Sequence, residues 1–186
     1  ENMIVNTDPR KCTSIVTYTK PVGKDNCSIF GNGQISGIGP GGMFPKGITT
    51  NLFYTEDGAH LKDSCSFTVT VNDLEAPLIL CPSNMEVHIA PGTCNAAVNY
   101  TKPLGTDNCS IYENSQISGL GPNSHFPVGI TSNIFVTEDL SHLKDTCRFN
   151  ILVVRDSTNW SVTSCNSYLW NGILYTASGK YIQSFL

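Results

Sequence analysis

Apolar and polar residues alternate along several short segments of the chain, a pattern typical of half-buried β-strands. The clearest segments are 85–89, 97–100, 134–137 and 149–154. Turn-forming pairs such as Pro91-Gly92 separate them, and no segment keeps a helical period over ten residues. Six or seven short strands in about 82 residues predict a β-sandwich.

The pattern occurs twice. Residues 1–71 align with residues 83–153 without a gap, and 40 of the 71 pairs are identical. A period of this length indicates a tandem array of one structural unit. We therefore predict an all-β chain of tandem β-sandwiches, with one module at 1–73 and a second at 74–156. Residues 157–186 match neither copy and are expected to begin a third, different β repeat.

Charge and composition exclude several classes of protein. The chain has 11 Lys and Arg against 15 Asp and Glu, a net charge of −4, so it lacks the basic excess that nucleic-acid binding needs. Its 40% hydrophobic content is too high for a disordered chain. No apolar stretch approaches the roughly 20 residues of a membrane-spanning helix. We expect neither a nucleic-acid partner nor a membrane span.

Eight cysteines are the strongest chemical signal in the sequence. None lies in a Cys-x-x-Cys pair, and the four His have no zinc-finger spacing to them. Disulfides are the better interpretation, and they persist in oxidising compartments. The predicted location is therefore extracellular or at the cell surface, in a secreted protein.

Chain geometry predicts the pairing. The first and last strands of a sandwich begin at the same end of the module, so Cys81 and Cys147 are expected to pair. Cys94 with Cys109 would then close a loop of about 15 residues, and the repeat gives Cys12 with Cys27. Four cysteines allow three connectivities, so a Cys109–Cys147 bond stays an alternative. Cys65 and Cys165 are expected to lack partners, because the first module and the last repeat are interpreted as truncated.

No catalytic motif is present, neither Gly-x-Ser-x-Gly nor His-Glu-x-x-His, so the predicted protein is not an enzyme and no cofactor-binding residue is assigned. The acidic junction 71–77 offers Asp73 and Glu75 as candidate calcium ligands, with Asp107 or Asp139 as helpers. The alternative is a plain linker in which Pro77 limits bending.

Several motifs in order resemble the HYR module, the hyalin repeat. They are Cys81-Pro82, Thr106-Asp107-Asn108-Cys109, Phe126-Pro127-Val128-Gly129 and Thr137-Glu138-Asp139 followed by Cys147-Arg148-Phe149, with their counterparts in the first copy. The family usually has Gly-Asn in the last hairpin, where this chain has His60-Leu61 and His142-Leu143. The tail resembles a second repeat of large secreted proteins of Bacteroidetes-like bacteria, with Ser164-Cys165-Asn166-Ser167-Tyr168 and Trp170-Asn171-Gly172.

The resemblance implies an immunoglobulin-like extracellular domain and a non-catalytic structural or adhesion module, the stalk or spacer of a cell-surface adhesin. Its expected partners are other repeats of the same chain. One alternative is a module that itself binds a cell-surface glycan or protein, for which exposed loop 119–125 is a candidate. Another alternative is a spacer attached to a secreted enzyme.

Overall fold

Strands form the regular structure of the chain. The computed structural model describes residues 1–90, 92–156, 167–170, 172–177, 179 and 181. Within these residues every regular element is a β-strand, so the fold class is all-β, as predicted. The described part of the chain also holds no helix with the length and apolar character needed to cross a membrane.

The first module contains six strands: β1 Met3–Asn6, β2 Thr13–Val16, β3 Ile29–Ser36, β4 Gly42–Pro45, β5 Gly47–Asp57 and β6 Lys62–Asn72. One sheet has the order β1-β6-β5-β3, and β2 pairs with β4 in a second. All pairs are antiparallel except β1 with β6, which is parallel from Met3 opposite Val69 to Asn6 opposite Asn72.

The second module repeats this topology. Its strands are β7 Leu78–Ile79, β8 Met85–Ile89, β9 Asn95–Val98, β10 Gly105–Thr106, β11 Ile111–Ser118, β12 Ser124–Pro127, β13 Gly129–Asp139 and β14 Lys144–Arg155. The large sheet has the order β11-β13-β14-β8, with β8 parallel to β14. The pairs β12-β9 and β10-β7 are separate. In the tail, β15 Tyr168–Trp170 pairs with β16 Ile173–Tyr175.

Alternation along the long strands makes the core. In β14 every second side chain from Cys147 to Val153 is buried, because successive residues of a strand point to opposite faces. These side chains pack against Phe126 and Val98 of the smaller sheet. Phe135 and Phe149 stack with ring centroids 6.1 Å apart, and Phe53 and Phe67 do the same at 6.0 Å.

A buried asparagine fixes the loop before the small sheet in each module. Asn133 is fully buried, and its side-chain oxygen accepts a hydrogen bond of 2.9 Å from the backbone of Leu120. Asn51 does the same for Ile38 at 2.8 Å. Gly119, with φ of 90°, lies so close that a Cβ there would be 2.2 Å from the asparagine oxygen. The turn therefore requires glycine for both its conformation and its space.

The disulfides differ in part from those predicted. Cys81 is bonded to Cys147, which is the pairing that chain geometry suggested. The expected Cys12–Cys27 and Cys94–Cys109 bonds are wrong, because Cys12 is bonded to Cys109. Cys27, Cys65 and Cys94 are free and exposed, whereas Cys165 lies outside the described residues.

Strand length explains this correction. The backbone of Cys12 accepts a hydrogen bond from Lys46, just before β5, whereas Ser28, beside Cys27, accepts one from Gly58, just after β5. The 11 residues of β5 span about 35 Å at 3.3 Å per residue. Cys12 and Cys27 thus lie at opposite ends of the module, and a disulfide needs Cα atoms within about 7 Å.

Candidate functional site at the junction of the modules

The two modules meet through loops at their facing ends. The first module supplies the Cys12 loop and the β4–β5 turn, which a backbone hydrogen bond of 3.1 Å from Lys46 to Cys12 holds together. The second supplies the loop 107–110 and the β13–β14 hairpin, joined by a bond of 3.2 Å from Leu140 to Ser110. The linker that follows β6 passes between them.

A disulfide crosses the junction. Cys12 and Cys109 are 97 residues apart in sequence, and their Cα atoms lie 4.6 Å apart. Asp107 fixes the turn that carries Cys109, because its carboxylate accepts a hydrogen bond of 2.8 Å from the backbone N–H of Cys109. The bond joins a loop of one module covalently to a loop of the next, which limits how far the modules can rotate against each other.

Asp73 is the polar centre of the junction. It is 5% exposed, and its carboxylate accepts hydrogen bonds from Asn108 Nδ2 at 3.3 Å and Ser141 Oγ at 3.3 Å. The Lys46 ammonium lies 3.6 Å from the same carboxylate and donates a hydrogen bond to Ser141 Oγ. Since a buried carboxylate is costly without a partner, the contacts to both modules hold the linker in one position.

Two further contacts border this centre. Asn108 Nδ2 also donates to the backbone oxygen of Lys11 at 2.9 Å, which adds a direct link between the modules. Glu75 accepts a bond of 2.9 Å from the backbone of Arg10, whose φ of 61° is unusual for a residue other than glycine. Asp73 and Glu75 therefore both belong to the junction, but in different roles.

The predicted calcium ligands fit this geometry poorly. Possible ligand atoms of Asp73, Asp107 and Cys109 lie within 4.8 Å of one another, and Glu75 is not part of that group. The Cys109 sulfur is in a disulfide, and the Lys46 ammonium already faces Asp73. Calcium takes six to eight oxygen ligands, so this arrangement favours an ion pair over a calcium shell. Calcium binding by Asp73 and Glu75 remains a prediction, and Asp139 instead caps its own hairpin through Ser141 and Leu143.

The β13–β14 hairpin contains an ionic pair of its own. His142 Nδ1 lies 2.6 Å from Glu138 Oε1, and Lys144 lies 3.1 Å from the other carboxylate oxygen. The hydrogen bond to His142, together with Lys144, lowers the pKa of the Glu138 carboxyl group. His142 has a φ of 63°, so it occupies a left-handed turn position that favours Gly or Asn. A residue other than glycine is thus held in the left-handed conformation at this turn.

Sequence reasoning identified Asp73 and Glu75 but missed Lys46, Asn108 and Ser141. The difference between the copies carried a signal for two of them. Lys46 corresponds to Val128, and Ser141 corresponds to Ala59, although the flanking motifs are the same. Lys46 and Ser141 are thus polar residues that each occur in one copy only, although the neighbouring turn residues are the same in both copies. Both of them lie at the junction between the two modules.

Two immunoglobulin-like sandwiches joined end to end through such a junction define a tandem-module protein. Comparison with known families agrees, since the HYR domain matches residues 1–71 and again residues 72–153. The chain belongs to the HYR domain family. The match ends at residue 153, so the resemblance of the tail to a bacterial repeat remains a prediction.

Curated relatives include two hyalins. The chain is 28% identical to hyalin of Strongylocentrotus purpuratus over 160 residues, which is 82% of this chain and 13% of that protein. It is 30% identical to hyalin of Lytechinus variegatus over 174 residues, 90% of this chain and 32% of that protein. A sushi-repeat-containing protein of Mus musculus is 34% identical over 82 residues, 44% of this chain and 18% of its own length. The chain thus spans at most about a third of the curated relatives it matches.

Solved structures with a similar fold include cadherin ectodomains. The human desmocollin-1 ectodomain is 12% identical, with a TM-score of 0.34, over 83% of this chain and 38% of its own. Domains 3–6 of protocadherin gamma B2 are 13% identical, with a TM-score of 0.37, over 83% and 51%. At these TM-scores the likeness supports no conclusion about this chain.

Proposed function

We propose that this chain is a rigid spacer of an extracellular adhesive protein, in which HYR modules are fixed end to end. The observation that carries the proposal is the junction itself. A disulfide and the buried ionic cluster beside it both link the two modules, so rotation about the linker would break the contacts of the cluster.

The chemistry of the junction also supports a location outside the cytosol. Two disulfides stabilise the described part of the chain, and disulfides of this kind persist where the environment is oxidising. The matches to hyalin and to a sushi-repeat-containing protein support an adhesion-type role for the module. No catalytic activity is proposed, and partners beyond neighbouring repeats are left to experiment.

The proposed mechanism is mechanical. Each sandwich keeps its shape through its core, and the second module is also closed by the Cys81–Cys147 bond, while the junction keeps the two modules in line. The loop 119–123 precedes strand β12, and the backbone of Asn123 donates a hydrogen bond to Val98, at the end of the β9–β12 pair that lies away from Cys94. A direct binding role would need a ligand at an exposed loop such as this one.

The distribution of distances between the two modules in the whole chain tests the spacer proposal. Spin labels carried by unnatural amino acids at positions 35 and 117, exposed on β3 and β11, report the distance between modules by electron paramagnetic resonance without labelling the free cysteines. We expect a narrow distance distribution for the native chain and a broad one when Cys12 and Cys109 are both replaced by Ser and Lys46 by Met. A native distribution as broad as that of the triple variant would contradict the proposal. Replacing Cys65 with Ser is the matched control, because that thiol lies outside the junction.

A further inference from the structure

Two of the free cysteines, Cys27 and Cys94, correspond to the two cysteines that bridge the modules. The repeat places Cys94 of the second module at the position of Cys12, and Cys27 of the first module at the position of Cys109. The bridging bond joins Cys12 to Cys109. Each module therefore carries one bridging cysteine at each end, and the structure uses only the inner two.

Local backbone geometry is the same at used and unused positions. Cys94 accepts a backbone hydrogen bond of 3.2 Å from Val128, as Cys12 does at 3.1 Å from Lys46. At the other end, the carboxylate of Asp25 accepts a bond of 2.8 Å from the Cys27 backbone, as Asp107 does for Cys109. The free thiols are thus held by the same turns that hold the bonded pair.

Exposure distinguishes the two sets. Cys12 and Cys109 are half-buried, because each is covered by the neighbouring module, whereas Cys27 and Cys94 are exposed. The loop around Cys27 is exposed from position 24 to position 30, while residues 107–109 are half-buried. The exposure of Cys27 and Cys94 is therefore the exposure expected of a junction surface that no neighbouring module covers.

We propose that Cys94 and Cys27 are the two halves of a further inter-module disulfide, and that the partner of each is another HYR module presenting the complementary half. A second copy of this chain supplies both halves, since Cys94 of one copy can bond Cys27 of the next. The contact is head-to-tail and uses two different surfaces, so it extends a row of modules rather than closing a dimer.

The bond forms by thiol–disulfide exchange with a small-molecule disulfide. The Cys94 thiolate attacks the oxidant and releases one small thiol, and the Cys27 thiolate then displaces the second small thiol from the mixed disulfide. The two protein thiols lose two protons and two electrons in total, and one small disulfide becomes two thiols.

The ionic cluster of the observed junction has no counterpart at these outer ends. At the same offset of 82 residues, Lys46 corresponds to Val128, Asp73 to Arg155 and Ser141 to Ala59. The disulfide would therefore be the main link at these ends. Cys65 provides a contrast, since it corresponds to Cys147, whose bond lies inside a module.

Cross-linking of defined variants tests the proposal. The forward variant keeps Cys94 and carries Cys27→Ser, and the backward variant keeps Cys27 and carries Cys94→Ser. Both carry Cys65→Ser and Cys165→Ser and retain the two native disulfides. A control variant keeps Cys65 and carries Cys27→Ser, Cys94→Ser and Cys165→Ser. Equal amounts are mixed in pairs with oxidised and reduced glutathione, and the dimers are counted by mass spectrometry.

We expect forward–backward dimers to exceed the sum of the two symmetric dimers at least about fivefold, a ratio that random pairing would leave near one. Peptide mapping should show the Cys94–Cys27 bond. Mixing the forward variant with the Cys65 control should give a ratio near one. A forward–backward ratio near one, or no such dimer, would overturn the proposal. The outcome is independent of the spacer proposal, which concerns only the bonded junction.

Discussion

The disulfide between Cys12 and Cys109 should stabilise both modules, although it lies within neither of them. We consider the double variant Cys12→Ser, Cys109→Ser, which removes the bond and leaves no new thiol. Because the modules can unfold one at a time, the loop that matters is the unfolded stretch between folded anchors. The full separation of 97 residues therefore overstates the constraint for either module alone.

The magnitude follows from those shorter loops. With the first module folded, unfolding of the second leaves a loop of about 37 residues between the linker and Cys109, worth about 4 kcal/mol in the chain-entropy model. With the second module folded, the loop in the first is about 60 residues, which gives a similar value. Measured effects often fall below this model, so we expect a loss of about 2–4 kcal/mol in each module.

Hydrogen exchange followed by mass spectrometry resolves the two modules. Slowly exchanging amides of β5 and β6 report on the first module, and those of β13 and β14 report on the second. Both sets should exchange faster in the double variant, by a factor that corresponds to the lost free energy. The matched control Cys65→Ser should leave both sets unchanged. If neither set changes by more than about 0.5 kcal/mol, the junction bond does not constrain the modules and the loop argument is wrong.

Three further predictions concern single side chains. The hydrogen bond to Asp156 raises the pKa of His88, so the stabilisation of the fold by this pair is complete below pH 6.5 and is lost as the pH rises through the folded-state pKa. The Tm of the native chain should therefore exceed the Tm of the His88→Gln variant at pH 5.5 and equal it at pH 8.5. The same difference in Tm at both pH values would count against this pair. Gly119→Ala should destabilise the second module by about 2–4 kcal/mol in urea unfolding, because the new Cβ would lie 2.2 Å from the buried side-chain oxygen of Asn133. Gly129→Ala should cost only about 1–2 kcal/mol, because Gly129 also has a positive φ, 106°, but has open space around it. Equal losses in the two variants would refute the argument that the close contact at Gly119 adds to the cost. Lys46→Met leaves the buried Asp73 carboxylate without its cation, so the distribution of distances between the modules should broaden. Added calcium should narrow this distribution in the variant but leave it unchanged in the native chain. A calcium effect on the native chain would contradict the interpretation of Lys46 and Asp73 as an ion pair.

Local pattern and the internal repeat were sufficient to predict the all-β sandwich, since alternation in 149–154 marks the inner face of β14 directly. Strands β11 and β12 were not predicted. In β11 a bulged register and exposed polar residues weaken the alternation on which such a prediction rests, and β12 has only four residues, one of them buried. The paired Cys81 and Cys147 were also predictable, because both lie near strands that start at one end of a sandwich.

The junction could not be predicted in the same way. The two copies carry cysteines at corresponding positions, so the sequence does not distinguish a bond within a module from a bond between modules. Only the length of β5, which separates Cys12 from Cys27 by the full height of the sandwich, decides between them. Asp73 was identifiable as an acidic linker residue, but its partners Lys46 and Ser141 come from loops far apart in sequence.

The interlaced arrangement of the two disulfides sets a limit on how far the chain can be stretched. The sequence range closed by the bond from residue 12 to residue 109 overlaps the range closed by the bond from residue 81 to residue 147. A force that pulls on residues 1 and 155 therefore passes through the two disulfides along a shorter covalent path. That shortcut runs through about 50 residues instead of about 155. At about 3.4 Å per residue, the fully unfolded segment could lengthen to about 170 Å rather than about 530 Å. Single-molecule pulling under oxidising and reducing conditions measures this difference, and the oxidised segment would act as a tether of nearly fixed reach even after both sandwiches had melted.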